Sequence, residues 1–408
     1  MISVAEALER ILAAFEPLPA ETIGLAEGLG RVLAEDVVAR VTQPPHAVSA
    51  MDGYAVRAAD VAKVPVELRQ IGEVPAGCAY EGQVGAGQTV RIFTGAPLPA
   101  GSDAIVIQED TESDPEQGGY RVTVKQSVAE GNYVRPAGLD FKAGDIGVPA
   151  GQRVTARDIG LAAAMNAPWL RVRRRPRVAI LATGDEVVMP GEPVGPNQIV
   201  SSNGLSLSAL VTACGGEAVN LGIAGDNEDS LARLSAGARG ADLLVTTGGA
   251  SVGKHDLVQQ VLERHGLALD FWKIAMRPGK PLMFGRIGDT PMLGLPGNPV
   301  STLVCGVLFV RPAIEAMLGR HTAEAPPETA ILGAALGEND RRQDYLRARI
   351  DYDGTGQRRA LPFNRQDSSM LGALAHADCL IVRPPHAPPL AAGETVEIIP
   401  LAGGTLSI

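Results

Sequence analysis

Hydrophobic and polar positions change period along the chain. Ser3 followed by Glu6 forms a capping box ahead of an amphipathic helix that runs to about Phe15. A second helical stretch is predicted near Leu25 to Ala34, before Pro44-Pro45. From there to about Gly151 the apolar runs are short: Val64–Leu68, Thr89–Phe93, Ala104–Gln108 and Tyr120–Val124, parted by Gly, Pro and Asp turns. That pattern predicts a β-rich unit. Thr155 and Asp158 cap a predicted helix over Ile159–Met165, expected to pack back on the N-terminal helices, so the β-rich segment reads as an insertion.

After Arg171-Val172-Arg173-Arg174-Arg175-Pro176-Arg177 the strands lose their polar alternation. Predicted strands at Val178–Ala182, Ala218–Ile223, Leu243–Thr246, Leu269–Ile274 and Pro291–Leu295 are separated by predicted helices at Ser206–Ala213, Asn227–Ala236, Leu257–Arg264 and Val300–Met317. Continuous apolar strands alternating with helices mean a mostly parallel, doubly wound sheet covered on both faces. Past a linker at His321 to Pro327 the chain reads as all-β. In Tyr345–Tyr352, Leu346, Ala348, Ile350 and Tyr352 fall on one face and Arg347 and Arg349 on the other. Leu380–Arg383 and Thr395–Leu401 complete a small barrel or sandwich. The fold class is thus α/β plus β, multidomain.

Composition narrows the function. A chain of 408 residues exceeds one core, since domains run to roughly 100–200 residues. A net charge of −10 argues against a broad nucleic-acid footprint. No run approaches the roughly 18 apolar residues of a membrane span, and Met1–Glu6 lacks a basic leader, so a cytoplasmic protein is expected. Cys78, Cys214, Cys305 and Cys379 are widely spaced and read as reduced thiols. The arginine run 171–177 reads as a solvated connector.

The chemistry concentrates at strand ends. Thr183-Gly184-Asp185-Glu186, Thr247-Gly248-Gly249-Ala250-Ser251-Val252-Gly253 and Pro296-Gly297-Asn298-Pro299 each follow a predicted strand, so all three belong on one sheet edge. Gly there lets backbone approach a ligand, and helix-start N–H groups hold anions. Gly248 to Gly253-Lys254 imitates a phosphate-binding P-loop, but His255 stands where Ser or Thr must hold Mg²⁺. Lys273, Arg277 and Lys280 place three cations on a Pro-Gly-shaped loop suited to phosphates or a tetrahedral oxyanion. Asp52, Thr94 and Asp140 sit in ordinary turns of the β-rich segment. From the residues alone the chain is an anion-binding α/β enzyme with acidic strand-end loops.

Taken together, Ser49–Ala55 (SAMDGYA), Thr94–Pro97 (TGAP), Thr183–Glu186 (TGDE), Thr247–Gly253 (TGGASVG), Arg277–Pro281 (RPGKP) and Leu295–Ser301 (LPGNPVS) stand in order along the chain. The set resembles the molybdopterin molybdenumtransferases, the family that includes the C-terminal part of gephyrin. The resemblance implies four domains: a discontinuous helical one (1–44 and 136–174), a β-rich insertion (45–135), a catalytic α/β domain (175–320) and a C-terminal β-barrel (321–408). It implies a homodimer whose cleft combines the α/β and C-terminal domains of one subunit with the insertion of the other.

By the same resemblance Asp52, Thr94, Asp140, Glu186, Asp226 and Asp256 line the cleft. Glu186, Asp226 and Asp256 are the expected Mg²⁺ ligands. Lys273, Arg277 and Lys280 face the anions, while Gly248, Gly249, Ser251 and Asn298 meet substrate through their loops. Pro296 and Pro299 shape the last loop, and Arg347 and Ser368 come from the C-terminal domain. Arg277 stands where family members often have Lys, and Leu139 precedes Asp140 where an acid is expected. The implied reaction inserts molybdate into adenylyl-molybdopterin, releasing AMP. The molybdopterin adenylyltransferase that makes the intermediate shares only the α/β domain, and a scaffold protein would not need the acids.

Overall fold

The computed structural model describes residues 1–114, 121–230, 236–248, 264, 266–320 and 327–401. The chain divides into two units: Thr22–Leu29 with Glu35–Arg171, and Met1–Glu21 with Gly30–Ala34 and Val172–Ile408.

In the first of these, six strands form one sheet: β1 (Gly53–Val56), β2 (Val66–Val74), β3 (Gln88–Ile92), β4 (Ala104–Ile107), β5 (Thr111–Asp114) and β6 (Arg121–Val124). Their order is β4-β1-β3-β2-β6-β5, with only the β2–β3 pair parallel. β1 is central and buried along its length. Tyr54, Val56, Leu68, Val106 and Val122 pack on one face, and Ala55, Val74, Val90, Ile92 and Ile105 on the other. Gly53 is required by close approach: a Cβ there would lie 2.0 Å from the Val106 carbonyl oxygen of β4. The helix Ala156–Ala164 carries the full reciprocal cap expected from its sequence: Thr155 Oγ1 accepts from Asp158 N–H, and Asp158 Oδ2 from Thr155 N–H.

Two expectations for the N-terminal region need correction. Leu25 to Ala34 is no α-helix; it gives one 3₁₀ turn, Leu25–Glu27. Gly28 is pressed against Leu170, and Gly30 takes φ +74°, a backbone state that ends helical propagation. The helix α1 (Val4–Leu12) is capped by Ser3, whose hydroxyl accepts from Glu6 N–H. Its Val4, Ala7 and Ile11 enter the core of the other unit, with Phe271, Ile314 and Met317. The helix Ala156–Ala164 packs on the Leu25–Glu27 turn.

The second unit is built on six strands: β7 (Arg177–Thr183), β8 (Glu217–Ala224), β9 (Leu243–Thr247), β10 (Leu267–Trp272), β12 (Met283–Ile287) and β13 (Thr290–Leu295), with the two-residue strand β11 (Met276–Arg277) beside them in sequence. The order is β8-β7-β9-β13-β12-β10. β8, β7, β9 and β13 run parallel, β12 is antiparallel to β13, and β10 is antiparallel to β12. β12 was not anticipated, because Pro281 and Gly285 interrupt its apolar run. Of the predicted helices, Ser206–Ala213 falls within Asn203–Ala213. Leu257–Arg264 and the middle of Asn227–Ala236 lie largely outside the described residues. The Val300–Met317 rod is α-helical at Pro299–Cys305, π at Gly306–Val310 and α-helical again at Arg311–Met317. This is the helical stretch among the described residues long and apolar enough to cross a membrane, but 72% of it is buried in this core.

β14 (Glu328–Leu332), β15 (Gln343–Tyr352), β16 (Arg358–Pro362), β17 (Cys379–Arg383) and β18 (Thr395–Pro400) close into a five-stranded barrel, ordered β15-β16-β14-β18-β17 with β17 returning to β15. Leu346, Ala348 and Ile350 face its interior with Ala360, Ile381 and Ile398. Tyr345, Leu380 and Val382 point the other way, into the α/β core. Arg347 shares that face and is 1% exposed, so the polar side expected of β15 is buried at Arg347 and solvated only at Arg349; Tyr352, expected inside, is 67% exposed.

Replacing Gly53 with Ala drives a methyl into β4 backbone. The expected cost is about 1–3 kcal/mol or more of stability, read as a lowered denaturation midpoint. A variant as stable as the parent would show that β1 and β4 can separate without penalty.

Candidate functional site

Strand register gathers the predicted chemistry of the second unit. Leu181 pairs with Thr246, Thr246 with Gly294, Gly294 with Met283, and Met283 with Trp272. The carboxyl ends of β7, β9, β13 and β10, and the start of β12, therefore share one edge. β8 joins it, with Thr183 opposite Ala224. Along that edge come Asp226 after β8, Asp185 and Glu186 after β7, Gly248 after β9, Pro296 to Pro299 after β13, Lys280 before β12 and Lys273 after β10. Acids stand at one end and cations at the other, with Gly- and Pro-rich loops between. Gly249, Ser251 and Asp256 lie outside the described residues.

At the acidic end, Asp185 Oδ1 accepts from the Asp226 N–H at 2.9 Å. Burial, then the negative charges of Asp185 and Glu186, push the Asp226 carboxyl above its ordinary range, against the hydrogen bond with Asp185. Between the ends, Gly248 at φ +92° lies so close to Thr183 that a Cβ would come within 2.5 Å of the Thr183 carbonyl oxygen. Asn203, at the start of its helix, donates to Thr247 Oγ1 at 2.9 Å and to the Gly297 carbonyl at 2.7 Å, tying two loops together. Its Oδ1 is buried without a hydrogen-bond partner. Asn203 lies outside the strand-end motifs; a polar Ser201-Ser202-Asn203 cluster opening an apolar helix is its one signal in the sequence.

The last loop is held by its own side chains. Pro299 takes the first helical position, where its missing N–H costs nothing. Thr302 Oγ1 donates to the Pro296 carbonyl at 2.6 Å. Asn298 does not cap the helix; its Nδ2 donates to Ser368 Oγ at 2.8 Å, so two predicted residues from separate domains meet. Arg347 donates through Nε to Gln366 Oε1 and through Nη1 to the Met370 carbonyl, both at 3.2 Å. Burial disfavours its charge, and its partners are neutral; Asp367, the acid whose charge it feels, is bonded to Ser369.

The cation loop departs from expectation. Lys273 holds φ +74°, a strained state for a residue with a side chain, and its ammonium lies 3.9 Å from the Trp272 ring centroid. Arg277, expected to face the anion, gives Nε to Asp344 Oδ1 at 2.9 Å and Nη2 to Asp344 Oδ2. The arginine run, expected as a solvated connector, is partly a strand, Trp169–Arg173, with Val172 buried, and its side chains bond within the chain. Arg174 forks Asp242, Arg173 bonds the Leu18 carbonyl, and Arg171 meets Glu35.

In the other unit, Asp52 and Thr94 are joined: Asp52 Oδ1 accepts from Thr94 N–H and Oγ1, both at 2.7 Å. These bonds, with the Arg91 charge adding a smaller pull, hold the Asp52 carboxyl below its usual range. Asp140 lies on a groove of about 640 Å³ with Arg135, His46, Pro97 and Gly95, the residue after Thr94. Arg135 joins the site residues through the groove it shares with Asp140.

The comparisons with known proteins agree along the chain. Residues 2–166 match the MoeA N-terminal region (domain I and II), 179–316 a probable molybdopterin binding domain, and 329–401 the MoeA C-terminal region (domain IV). The molybdopterin molybdenumtransferase of Haemophilus influenzae is 34% identical over 388 residues, covering 94% of this chain and 95% of that one. Molybdopterin molybdenumtransferase 2 of Mycobacterium tuberculosis is 36% identical over 390 residues, covering 92% and 94%. The crystal structure of the molybdopterin biosynthesis moea protein from Pyrococcus horikosii superposes with a TM-score of 0.85 at 32% identity, covering 99% of this chain and 100% of that one. With such likeness over nearly its whole length, the chain belongs to the molybdopterin molybdenumtransferase family, transferases of molybdenum cofactor biosynthesis.

Proposed function

We propose that this chain inserts molybdate into adenylylated molybdopterin, releasing AMP and leaving the molybdenum cofactor. The observation that carries the reading is the separation of charge along one sheet edge. From β7 to β10 there are four strand spacings, about 19 Å at roughly 4.8 Å each. A small oxyanion cannot touch both ends; an extended pterin diphosphate nucleotide can. Molybdate is a dianion, so it belongs with Lys273, Lys280 and the buried Arg347, and the carboxylates would repel it. Ser368 and Asn298, already bonded to each other, border that end.

Mg²⁺ fits the acidic end. The upward push on Asp226 comes from burial and from the like charges of Asp185 and Glu186, which a cation would offset. Mg²⁺ commonly takes one or two carboxylates and completes its shell with water and substrate phosphate. Glu186 and Asp226, with Asp256, would hold it, although no three metal-type side chains converge among the described residues. Bound there, it would neutralise charge on the pyrophosphate. The protein's own share is positioning: Gly248 and Gly297 admit the substrate backbone-close, Asn203 fixes their loops, and no side chain acts as a covalent nucleophile.

Asp52, Thr94 and Asp140 enter this reading through a second copy. Exposed Met51 and Leu139 adjoin Asp52 and Asp140 in sequence, and exposed Tyr133 is bonded through its carbonyl to Ala50; such apolar side chains suit burial in a homodimer. The division at 1–44 with 136–174, 45–135, 175–320 and 321–408 fits such a shared cleft. The free cysteines fit a reducing, cytoplasmic setting, and the substrate is the product of an adenylyltransferase.

The purified chain should release AMP from adenylyl-molybdopterin only when molybdate and Mg²⁺ are present. Glu186→Gln should slow that release by about 10²-fold while substrate still binds; unchanged turnover removes Glu186 from the chemistry. Asp226 must lose its proton to ligate, and its pKa is raised. Mg²⁺ affinity should therefore fall with decreasing pH from above the ordinary aspartate range, approaching about tenfold per pH unit. Calorimetric titration of Mg²⁺ at several pH values checks this, and Asp226→Asn should flatten the profile. Finally, Asp52→Ala and Glu186→Gln proteins, each strongly slowed alone, should regain about one quarter of wild-type activity on equal mixing, since half the dimers are mixed and each has one intact site. No recovery in mixtures shown to exchange subunits would place both residues in one subunit's site.

A further inference from the structure

Arg277 commits its Nε–Nη2 fork to an acid of its own chain, although 48% of its side chain stays exposed. Its Nε and Nη2 fork the Asp344 carboxylate, Nη2 also reaches Asn339 Oδ1 at 3.4 Å, and Nη1 lies 3.6 Å from Asp340 Oδ2. Asp344 is almost fully buried, with 4% of its side chain exposed. Asp340 is shared with Arg342, whose Nη2 donates at 2.6 Å. Two arginines thus meet two aspartates, and the cluster carries no surplus charge with which to attract a dianion.

The backbone around this cluster joins two elements that both carry proposed anion ligands. β11 pairs in parallel with the start of β15, Met276 with Gln343 and Arg277 with Asp344, and Gln343 N–H donates to the Ala275 carbonyl at 2.9 Å. The loop from Lys273 to Leu282 closes on itself, with Lys273 N–H on the Leu282 carbonyl at 3.0 Å and Ile274 N–H on the Lys280 carbonyl at 3.1 Å. Arg347 lies three residues beyond Asp344 on β15, so one ion pair fixes the register between the loop of Lys273 and Lys280 and the strand of Arg347.

We infer that Arg277 is a positioning residue, not an anion ligand: through Asp344 it straps the cationic loop to the barrel strand that bears Arg347, and so sets the spacing of the charges that hold molybdate. The strap rests on the reading of this edge as the molybdate end, but its geometry can be tested apart from it. Lysine cannot reproduce a planar two-point fork, so Arg277→Lys keeps the charge and loses the register.

The experiment uses the full chain and the variants Arg277→Lys, Arg277→Met, Asp344→Asn and the double variant Arg277→Met/Asp344→Asn. In anion-free buffer, the Gln343 amide should lose hydrogen-exchange protection in Asp344→Asn and Arg277→Met, while distant β7 amides keep theirs. With molybdate, each single variant should raise the molybdate KM by about tenfold or more with a smaller change in kcat, and the double variant should be no worse than the worse single. Asp344→Asn binding molybdate as tightly as the parent, or tighter, would overturn the strap and return Arg277 to the anion. Full KM effects without any change in Gln343 exchange would overturn it as well. Should the parent bind no molybdate while the exchange results hold, the strap stands and the molybdate reading falls. Arg277→Lys, which spares the fold a buried unpaired carboxylate, serves as the control if Arg277→Met unfolds.

Discussion

The constraint on which the rest depends is the register of the strands in the six-stranded α/β sheet. Parallel pairing of β8, β7, β9 and β13 sends their carboxyl ends to one edge, and the antiparallel β12 turns β10 back so that its end lies there too. A side-chain period of two means that slipping one strand by a residue would also exchange its two faces. The two faces of β7 and β9 pack into different cores, Val178, Ile180, Leu243 and Val245 in one and Ala179, Leu181 and Leu244 in the other, and a slip would exchange them. Acids and cations far apart in sequence are therefore fixed at opposite ends of one edge by hydrophobic packing, without needing each other's attraction. Held close together they would neutralise one another, as Arg277 and Asp344 do. Held apart, each keeps its charge for a ligand.

Keeping charges apart has a cost that the fold offsets locally. Arg347 sits on the barrel strand β15 at 1% exposure, with neutral partners. Burying an unpaired cation is unfavourable unless its donors are satisfied. Gln366 does part of that: it accepts from the Arg347 N–H and side chain, and donates back to the Arg347 carbonyl. The double use of β15, one face inside the barrel and the other against the α/β core, is what brings the guanidinium there.

Much of this was legible in the sequence, for reasons that differ by segment. The α/β strands announce themselves because buried parallel strands are apolar throughout, and loops after them must share an edge. The cap at Thr155 is legible because both halves of its bond are side chains three residues apart. Leu25 to Ala34 misled because composition suits a helix while two glycines at 28 and 30 prevent one. The partner of α1 could not be read, since an amphipathic stripe says that something covers it but not what. Arg347 was placed on a polar face because alternation assumes one solvated side, and the barrel has none at that point. The fate of Arg277 was invisible because Asp344 looks, in sequence, like any strand-start acid. Asp52 and Thr94 are 42 positions apart; only the β1–β3 pairing makes them neighbours.

The two acids with opposite shifts show how environment assigns roles to one residue type. Asp52 lies at the surface but accepts two hydrogen bonds from Thr94 and feels Arg91, so its charge is secured across the working pH range. Asp226 loses solvation and stands beside Asp185 and Glu186, so its charge is opposed. A carboxylate already satisfied gains little from a cation, whereas one that is desolvated and crowded by like charges gains a good deal. The acid most opposed by its surroundings is thus the one a cation would stabilise most. On the proposed reading a cation would sit at the β7–β8 end of the edge, and Asp52 would serve as a fixed negative acceptor, oriented by Thr94. Pairs of titratable groups pushed in opposite directions are a mark of divided chemical labour. Here the division follows from which backbone N–H each carboxylate meets and how many like charges share its water.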